Sequence, residues 1–398
     1  MIVQFKVKNY RSISTEQILS FLAQSQDSHH KGNTIATPFG DVLKSIAIYG
    51  ANASGKSNVL KALNVFCEVV AKSVEIDSLL PSFPFAFAQN TEPTELELIF
   101  IVGKKLYRYG FAFDTKAIIE EWLFVTSPTT QRESEIFYRV FDEGKYHYKY
   151  GRSFKGEKKV FEERTRANSL FLSKCAFENQ ELMRELFLYI KDKVFFLIQG
   201  YRYFFKDFSD TRFLQKQEKF LKDAGIEFDT LLLESNQQVT MSAMGEVAKA
   251  HTNEPIYSFL KKGKRFYMED ESEGSTQLLA MSAPLIKTIE SGGIIIVDEL
   301  EKSLHPLIVE QIVKQFHDNN KAQILFTTHN TTILKSSIFC KDQIYFTEKN
   351  DYATELYSLL EFKGIRSEDN YEKKYLAGNY GALPILRDFE LGDENGER

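Results

Sequence analysis

Residues 2–8 alternate, with Ile2, Gln4, Lys6 and Lys8 set against Val3, Phe5 and Val7, the period-two pattern of a half-buried strand. A continuous apolar run, Ser45-Ile-Ala-Ile-Tyr49, ends at Gly50 and predicts a buried strand feeding a glycine loop. Beyond the loop, Val59, Leu60, Leu63, Val65, Phe66, Val69 and Val70 recur at helical spacing and predict a helix over 57–72. Residues 94–165 change character. TELELIFIVGKKLYRYGFAF reads as two strands around Gly103-Lys104, IIEEWLFVTS as a third, and IFYRVFDEGKYHYKYG as a hairpin around Asp142-Glu143-Gly144.

Residues 169–260 read as mostly helical, with ELMRELFLYI and RFLQKQEKFL as the clearest segments. From 276 the pattern is helix (TQLLAMSAPLIKTIES), strand (GGIIIVDEL), helix (HPLIVEQIVKQFHD) and strand (AQILFTTHN). Alternating α and β with continuous apolar strands argues for a parallel sheet covered on both faces. Two further strands are expected at 343–346 and 354–359, and the last dozen residues read as a frayed acidic tail. The expected organisation is therefore an α/β core whose N-terminal part spans 1–93. An antiparallel β-rich lobe follows at 94–167 and an inserted helical lobe at 168–268. The C-terminal part of the core spans 269–386 and the acidic tail 387–398.

Composition narrows the classes. At 398 residues and 43% hydrophobic, the chain can bury a core, which excludes wholesale disorder. Fifty Lys and Arg nearly balance 55 Asp and Glu, so the net charge of −5 does not advertise nucleic-acid or membrane binding. Two local basic stretches, Lys261/Lys262/Lys264/Arg265 and Arg152 to Arg166 with interleaved glutamates, read as solvated faces; a nucleic-acid track is the alternative. Cys67, Cys175 and Cys340 lie far apart without a CxxC pair, which argues against a disulfide scaffold or structural zinc and for a reducing compartment. The N-terminus lacks the apolar stretch of a signal peptide, and the run at 292–297 falls far short of the roughly 20 residues needed to span a bilayer. A cytoplasmic protein without a membrane partner is expected.

Gly50-Ala51-Asn52-Ala53-Ser54-Gly55-Lys56-Ser57 fits G-x4-G-K-[ST], the P-loop. Its glycines let backbone N–H groups curl around phosphate oxygens, and the following helix points its positive end at them. Lys56 is expected on the β- and γ-phosphates of ATP, and the Ser57 hydroxyl on Mg²⁺. A second apolar strand ends in Asp298-Glu299: Asp298 suits the Mg²⁺ shell, and Glu299 suits polarising the attacking water. A third strand delivers His329 at its C-terminal end, where open α/β sheets gather ligand groups, and a γ-phosphate contact is expected there.

These motifs resemble an ABC-type ATPase head. Ser272-Glu273-Gly274-Ser275-Thr276-Gln277 resembles the signature segment of that family, with Ser272 and Gly274 in the key places and Glu271 where the family has a leading leucine. The resemblance implies that Ser272 and Gly274 meet the γ-phosphate of a partner subunit's nucleotide, hence a homodimer with two shared ATP sites. It leaves a larger assembly open. The opening Asn9-Tyr10-Arg11-Ser12 and the Asn58 after the P-loop resemble the SMC/RecF branch, in which a basic residue such as Arg11 approaches the nucleotide and a glutamine reaches Mg²⁺. Gln180 is the candidate for that glutamine and Gln199 its rival. Glu301-Lys302-Ser303 falls where the family's D-loop touches the partner subunit.

The segments Asp298 to Pro306, Asn168 to Ser173 and Tyr375 to Pro384 are similar to the small RloA/AbiL-type ATPases related to the OLD ATPases, many of which serve phage defence. That resemblance implies an ATP-controlled dimerising sensor acting with a separate effector, a nuclease or toxin. DNA or a phage component is left open as a further partner. The span from Ser57 to Ser272 carries no sustained heptads, which excludes a long coiled coil. The stretch after His329 shows no DxD pair of the kind a Toprim nuclease needs. Two other readings stand beside this one: a RecF-like DNA-maintenance ATPase, and a static ATP-bound scaffold of a toxin-inhibitor assembly.

Overall fold

The computed structural model describes residues 1–24, 30–75, 80–88, 92–198, 211–234, 238–243, 246–251, 256–366 and 368–384. The chain runs through β1 (Ile2–Lys8), β2 (Gln17–Ser20), α1 (His30–Asn33), β3 (Thr34–Ile35), β4 (Val42–Leu43), β5 (Ser45–Gly50) and α2 (Lys56–Lys72). Five long strands follow: β6 (Thr94–Val102), β7 (Lys105–Phe113), β8 (Ile118–Thr126), β9 (Glu133–Asp142) and β10 (Lys145–Tyr150). Next come α3 (Lys158–Arg164), α4 (Phe171–Phe177), α5 (Glu181–Lys193), β11 (Val194–Leu197) and α6 (Thr211–Asp223). Strands β12 (Thr230–Glu234), β13 (Gln238–Ala243), β14 (Glu246–His251), β15 (Ile256–Lys261) and β16 (Lys264–Tyr267) lead to α7 (Glu273–Ser291). The remainder is β17 (Gly293–Val297), α8 (Pro306–His317), β18 (Ala322–Thr327), β19 (Ile344–Asn350), β20 (Ala353–Ser358) and α9 (Tyr371–Leu376).

Two sheets carry the architecture. A seven-stranded antiparallel sheet has the order β10-β9-β8-β7-β6-β1-β2, and a six-stranded sheet the order β11-β17-β18-β5-β19-β20. The second is parallel from β11 through β19, with β20 added antiparallel at its edge. Its central strands β5, β17 and β18 are buried at every position. Their side chains alternate between two cores, as period two requires. Ile46, Ile48, Ile294, Ile296 and Leu325 face the first core, shared with α2, α5 and the antiparallel sheet. Ala47, Tyr49, Ile295, Val297, Ile324 and Phe326 face the second, shared with α7, α8 and α9. This is the expected α/β architecture: a P-loop core sheet with an attached antiparallel β lobe.

Sheet membership cuts across the expected boundaries. β1 and β2 belong to the antiparallel sheet, because β1 pairs with β6 (Phe5 opposite Leu98). β11 belongs to the core sheet, Leu197 lying opposite Val297. Both pairings join distant segments, which local pattern does not report. The expectation of a mostly helical stretch over 169–260 is corrected too. α4 to α6 occupy its first half, but the described residues between 230 and 267 form antiparallel strands, with β12-β15-β16 in one small sheet and β13 paired with β14. Leu231 and Phe259 on those strands are buried in the second core. The tail expected at 387–398 lies outside the described residues.

The Asn168–Ser173 segment fastens the β lobe to the P-loop helix. The buried Arg139 donates to the carbonyls of Ser169 (2.7 Å) and Arg166 (3.1 Å). Glu121, also buried, accepts from the amides of Phe171 (2.6 Å) and Leu172 (2.9 Å) and from the Tyr109 hydroxyl (3.0 Å). Ser173 Oγ then donates to Val70 O on α2 at 2.7 Å.

Candidate functional site

The core sheet brings β5, β17 and β18 side by side, so the glycine loop, the Asp298-Glu299 pair and His329 emerge at one edge. Both loop glycines are demanded by close packing. Gly50 has φ 152°, and a Cβ there would lie 2.5 Å from Thr347 O; Gly55 has φ 108°, and its Cβ would lie 2.0 Å from Thr354 Oγ1. Thr354 Oγ1 also donates to Ser54 O (3.0 Å), and the Ser54 and Thr347 hydroxyls meet at 2.6 Å. From the other side, Asn58 Nδ2 donates to Ser12 Oγ (2.7 Å), which in turn meets Thr354 Oγ1 at 2.7 Å. The loop is thus held between the β19–β20 hairpin and the turn after β1. Asn52 and Ala53 at its crest are exposed, and Ala53 is left-handed at φ 62°.

Lys56 is buried, and its Nζ donates to the carbonyls of Gly50 (2.9 Å) and Ala51 (3.0 Å). Burial lowers its pKa, opposed by the charges of Asp298, Glu301 and Glu299. Ser57 Oγ donates to Asp298 Oδ1 at 3.0 Å, and Thr327 Oγ1 donates to the same oxygen at 2.7 Å. Asp298 N is held by Leu197 O of β11 at 3.0 Å. Thr327 Oγ1 also accepts from Glu299 N at 2.8 Å. Glu299 itself is left-handed at φ 53°, a conformation that non-glycine residues seldom adopt and that concentrates at functional sites. The His329 amide donates to Glu301 Oε1. The imidazole is reached by solvent, yet its pKa is lowered, first by partial desolvation and then by Lys56, against the raising pull of Glu301, Glu299 and Asp298.

Among the described residues no group of three or more His, Cys, Asp or Glu could hold a metal by itself. The donors that do converge, one serine hydroxyl and one carboxylate, suit Mg²⁺, which takes few protein ligands and completes its shell with water and phosphate oxygens.

The remaining expected residues fall in three places. Ser272 caps α7, its Oγ accepting from Ser275 N at 3.2 Å, and it is exposed. Gly274 lies so close to Ser303 O that a Cβ would stand 2.7 Å from it, which joins the start of α7 to the Glu301–Ser303 turn. Glu271, in the position where a leucine is usual, pairs with Lys261 at 2.6 Å. Arg11 is left-handed (φ 51°), with its guanidinium over the Phe83 ring at 4.6 Å, and sits one residue from Ser12 at the flank of the loop.

Gln180 is not brought to the loop. Its Oε1 accepts from Met183 N (2.7 Å) as the cap of α5, and its Nε2 donates to Lys155 O (3.0 Å). The amide is spent on local backbone in this arrangement. Gln199 lies outside the described residues. In the basic stretch at 261–265, Lys261 is paired with Glu271 and Arg265 with Glu234, so two of its four charges are matched within the chain.

Sequence reasoning missed Ser12, Thr327, Thr347 and Thr354. Thr327 was visible two residues before His329 in ILFTTHN. The others reach the loop only through the packing of distant segments.

No curated protein matches the chain in a sequence search. Among solved structures, similarity extends to an SMC head bound to the C-winged helix domain of ScpA, at 14% identity over 90% of this chain and 97% of that one, with a TM-score of 0.45. It also extends to the SMC head domain from Thermotoga maritima, at 11% identity over 90% and 98%, with a TM-score of 0.40. A third is an Smc head domain with an extended coiled coil bound to the C-terminal domain of ScpA derived from Pyrococcus furiosus, at 11% identity over 90% and 96%, with a TM-score of 0.41. Residues 45–335 match the family described as "AAA domain, putative AbiEii toxin, Type IV TA system". That span contains the glycine loop, the α7 start, Asp298-Glu299 and His329, and the chain belongs to this AAA-domain, P-loop ATPase family.

Proposed function

We propose that the protein binds and hydrolyses Mg-ATP at a site shared between two copies of itself, and that nucleotide-controlled dimerisation is its output. The observation that carries this reading is the hydrogen bond from Ser57 to Asp298, which joins the P-loop hydroxyl to the carboxylate of the neighbouring core strand. Backbone amides of residues 50–57 and Lys56 would bind the phosphates, Lys56 leaving the Gly50 and Ala51 carbonyls to do so. Ser57 and Asp298 would hold Mg²⁺, which neutralises charge on the β- and γ-phosphate oxygens when bound. Glu299 would orient the attacking water and accept its proton, held in place by the Thr327 hydroxyl beneath its amide. His329, just past the end of β18, would donate one hydrogen bond toward the γ-phosphate.

The exposed Ser272 and the Gly274–Ser303 contact support an α7 N-terminus offered to the nucleotide of a second copy. The family description names a toxin of a type IV toxin–antitoxin system, which supports a toxin–antitoxin partner for the chain; a role in phage defence with a separate effector rests on the sequence resemblance alone. A RecF-like DNA track finds less support, since Lys261 and Arg265 are matched by glutamates.

The test is solution mass by light scattering on Glu299→Gln with and without Mg-ATP. A shift from monomer to dimer is expected, because the variant keeps the phosphate contacts and loses turnover. A mass indifferent to ATP would reject the dimerising switch and move the static scaffold ahead of it.

A further inference from the structure

The two most exposed large apolar side chains among the described residues are Tyr352 (66%) and Phe87 (65%). They touch, with ring centroids 5.0 Å apart and 35° between their planes. Phe85, buried, meets Phe87 edge-on at 5.6 Å, and Phe83, 46% exposed, carries the Arg11 guanidinium on its face. Single exposed rings are ordinary, whereas a contiguous exposed group marks a binding surface.

The conformation of Tyr352 points the same way. Asp351 (φ 46°) and Tyr352 (φ 64°) form the two-residue turn between β19 and β20, both left-handed. Such a turn normally takes glycine at its second central position, so a tyrosine there is held against its backbone preference. Strain of this kind concentrates at ligand clamps.

Position supplies the occupant. Two residues beyond Tyr352, Thr354 bonds Ser54 O and packs against Gly55, while its amide donates to Ser12 O at 2.7 Å. Tyr352 Cα therefore lies within about 7 Å of the Cα of Thr354, the clamp on the glycine loop. Arg11, next to Ser12, rests its guanidinium on Phe83. Three segments distant in sequence thus place flat π surfaces beside the phosphate loop, and the group on a nucleotide that wants such a surface is its base.

We propose that Tyr352 and Phe87 form the platform on which the purine ring of the bound nucleotide stacks. This rests on the reading that the phosphates occupy the loop at 50–57. It gives the β19–β20 hairpin two jobs: Thr354 holds the loop and Tyr352 holds the base. Stacking reads a π face rather than hydrogen-bond edges, so its contribution belongs to the base alone and is absent for inorganic phosphate chains.

The experiment is calorimetric titration of the full chain with Mg-ATP and, separately, with inorganic tripolyphosphate. The proteins compared are wild type, the double variant Tyr352→Ala/Phe87→Ala, and Tyr352→Phe. The double variant should bind ATP about 5- to 150-fold more weakly, the range that alanine replacement of a base-stacking ring gives. Its tripolyphosphate affinity should be unchanged, which also shows that the loop is intact, and Tyr352→Phe should bind like wild type. Unchanged ATP affinity in the double variant overturns the platform, including the case in which only ATP-dependent dimerisation is lost, since the rings would then be a subunit contact. Equal losses for ATP and tripolyphosphate also overturn it, because the damage would lie in the loop. Wild type binding neither ligand overturns the phosphate-site reading and the platform together.

Discussion

Ser57 and Asp298 are 241 residues apart in sequence and 3.0 Å apart in space, hydroxyl to carboxylate oxygen. The contact exists because β5 and β17 both flank β18, which sets the start of α2 beside the end of β17. Thr327 donates to the same Asp298 oxygen from β18, so the strand between them completes the arrangement.

Asp298→Asn should therefore cut Mg-dependent ATP turnover by at least about 100-fold, since it removes the carboxylate charge at the proposed Mg²⁺ position. Nucleotide binding measured without Mg²⁺ should survive, because the loop amides and Lys56 are untouched. Steady-state ATPase assays over a Mg²⁺ titration check this; near-normal turnover would remove Asp298 from the site.

Gln180→Ala should cost about 1 kcal/mol of stability and leave ATP turnover unchanged. The amide caps α5 through Met183 N, and replacing a capping side chain with alanine costs about that much. Denaturant unfolding beside an ATPase assay separates the two roles. A tenfold loss of kcat without loss of stability would restore a metal contact for Gln180.

Arg139→Met should destabilise the fold by about 3–5 kcal/mol, because it strands the buried Glu121 without its countercharge. Burial already pushes the Glu121 carboxyl up, and Arg139 is the first group pulling it back. Adding Glu121→Gln should recover part of the loss. Urea unfolding of both variants checks this; a cost below about 1 kcal/mol for the single variant would refute it.

His317 makes stability fall with acid. Its ring is packed against Ser45 Oγ at 2.8 Å, and burial followed by the charge of Lys44 lowers its pKa to about 4. The unfolded chain takes the proton at the ordinary value of 6.5, so below that pH it binds a proton that the native state refuses. This contribution to stability is complete above pH 6.5 and is lost as pH falls toward about 4, amounting to roughly 3 kcal/mol. Stability curves of wild type and His317→Asn should diverge in slope over that window. Parallel curves would show that the ring titrates normally.

Much of the site was legible because its parts are local. A strand, a glycine loop and a helix start follow one another from Ser45 to Lys72, and the carboxylate pair and His329 each close an apolar strand. Binary pattern and backbone chemistry alone set those segments. The role of Gln180 was not legible, because a polar side chain after a helical segment looks the same whether it faces a ligand or caps the next helix. The stretch at 230–267 misled because its strands carry short, mixed patterns, and Leu231 and Phe259 declare their face only once packed in the second core.

By itself, then, the sequence determined which backbone forms the glycine loop, which carboxylate pair ends a central strand, and the class of fold they imply. Only the tertiary structure decided that β1 leaves the core for the antiparallel sheet, that β11 joins the core, and that Thr354, Ser12 and Tyr352 meet the loop. Those choices depend on contacts between segments from roughly a hundred to more than three hundred residues apart. Periodicity tells a strand which face to bury, but the partner along its edge is selected by the packing of the whole chain.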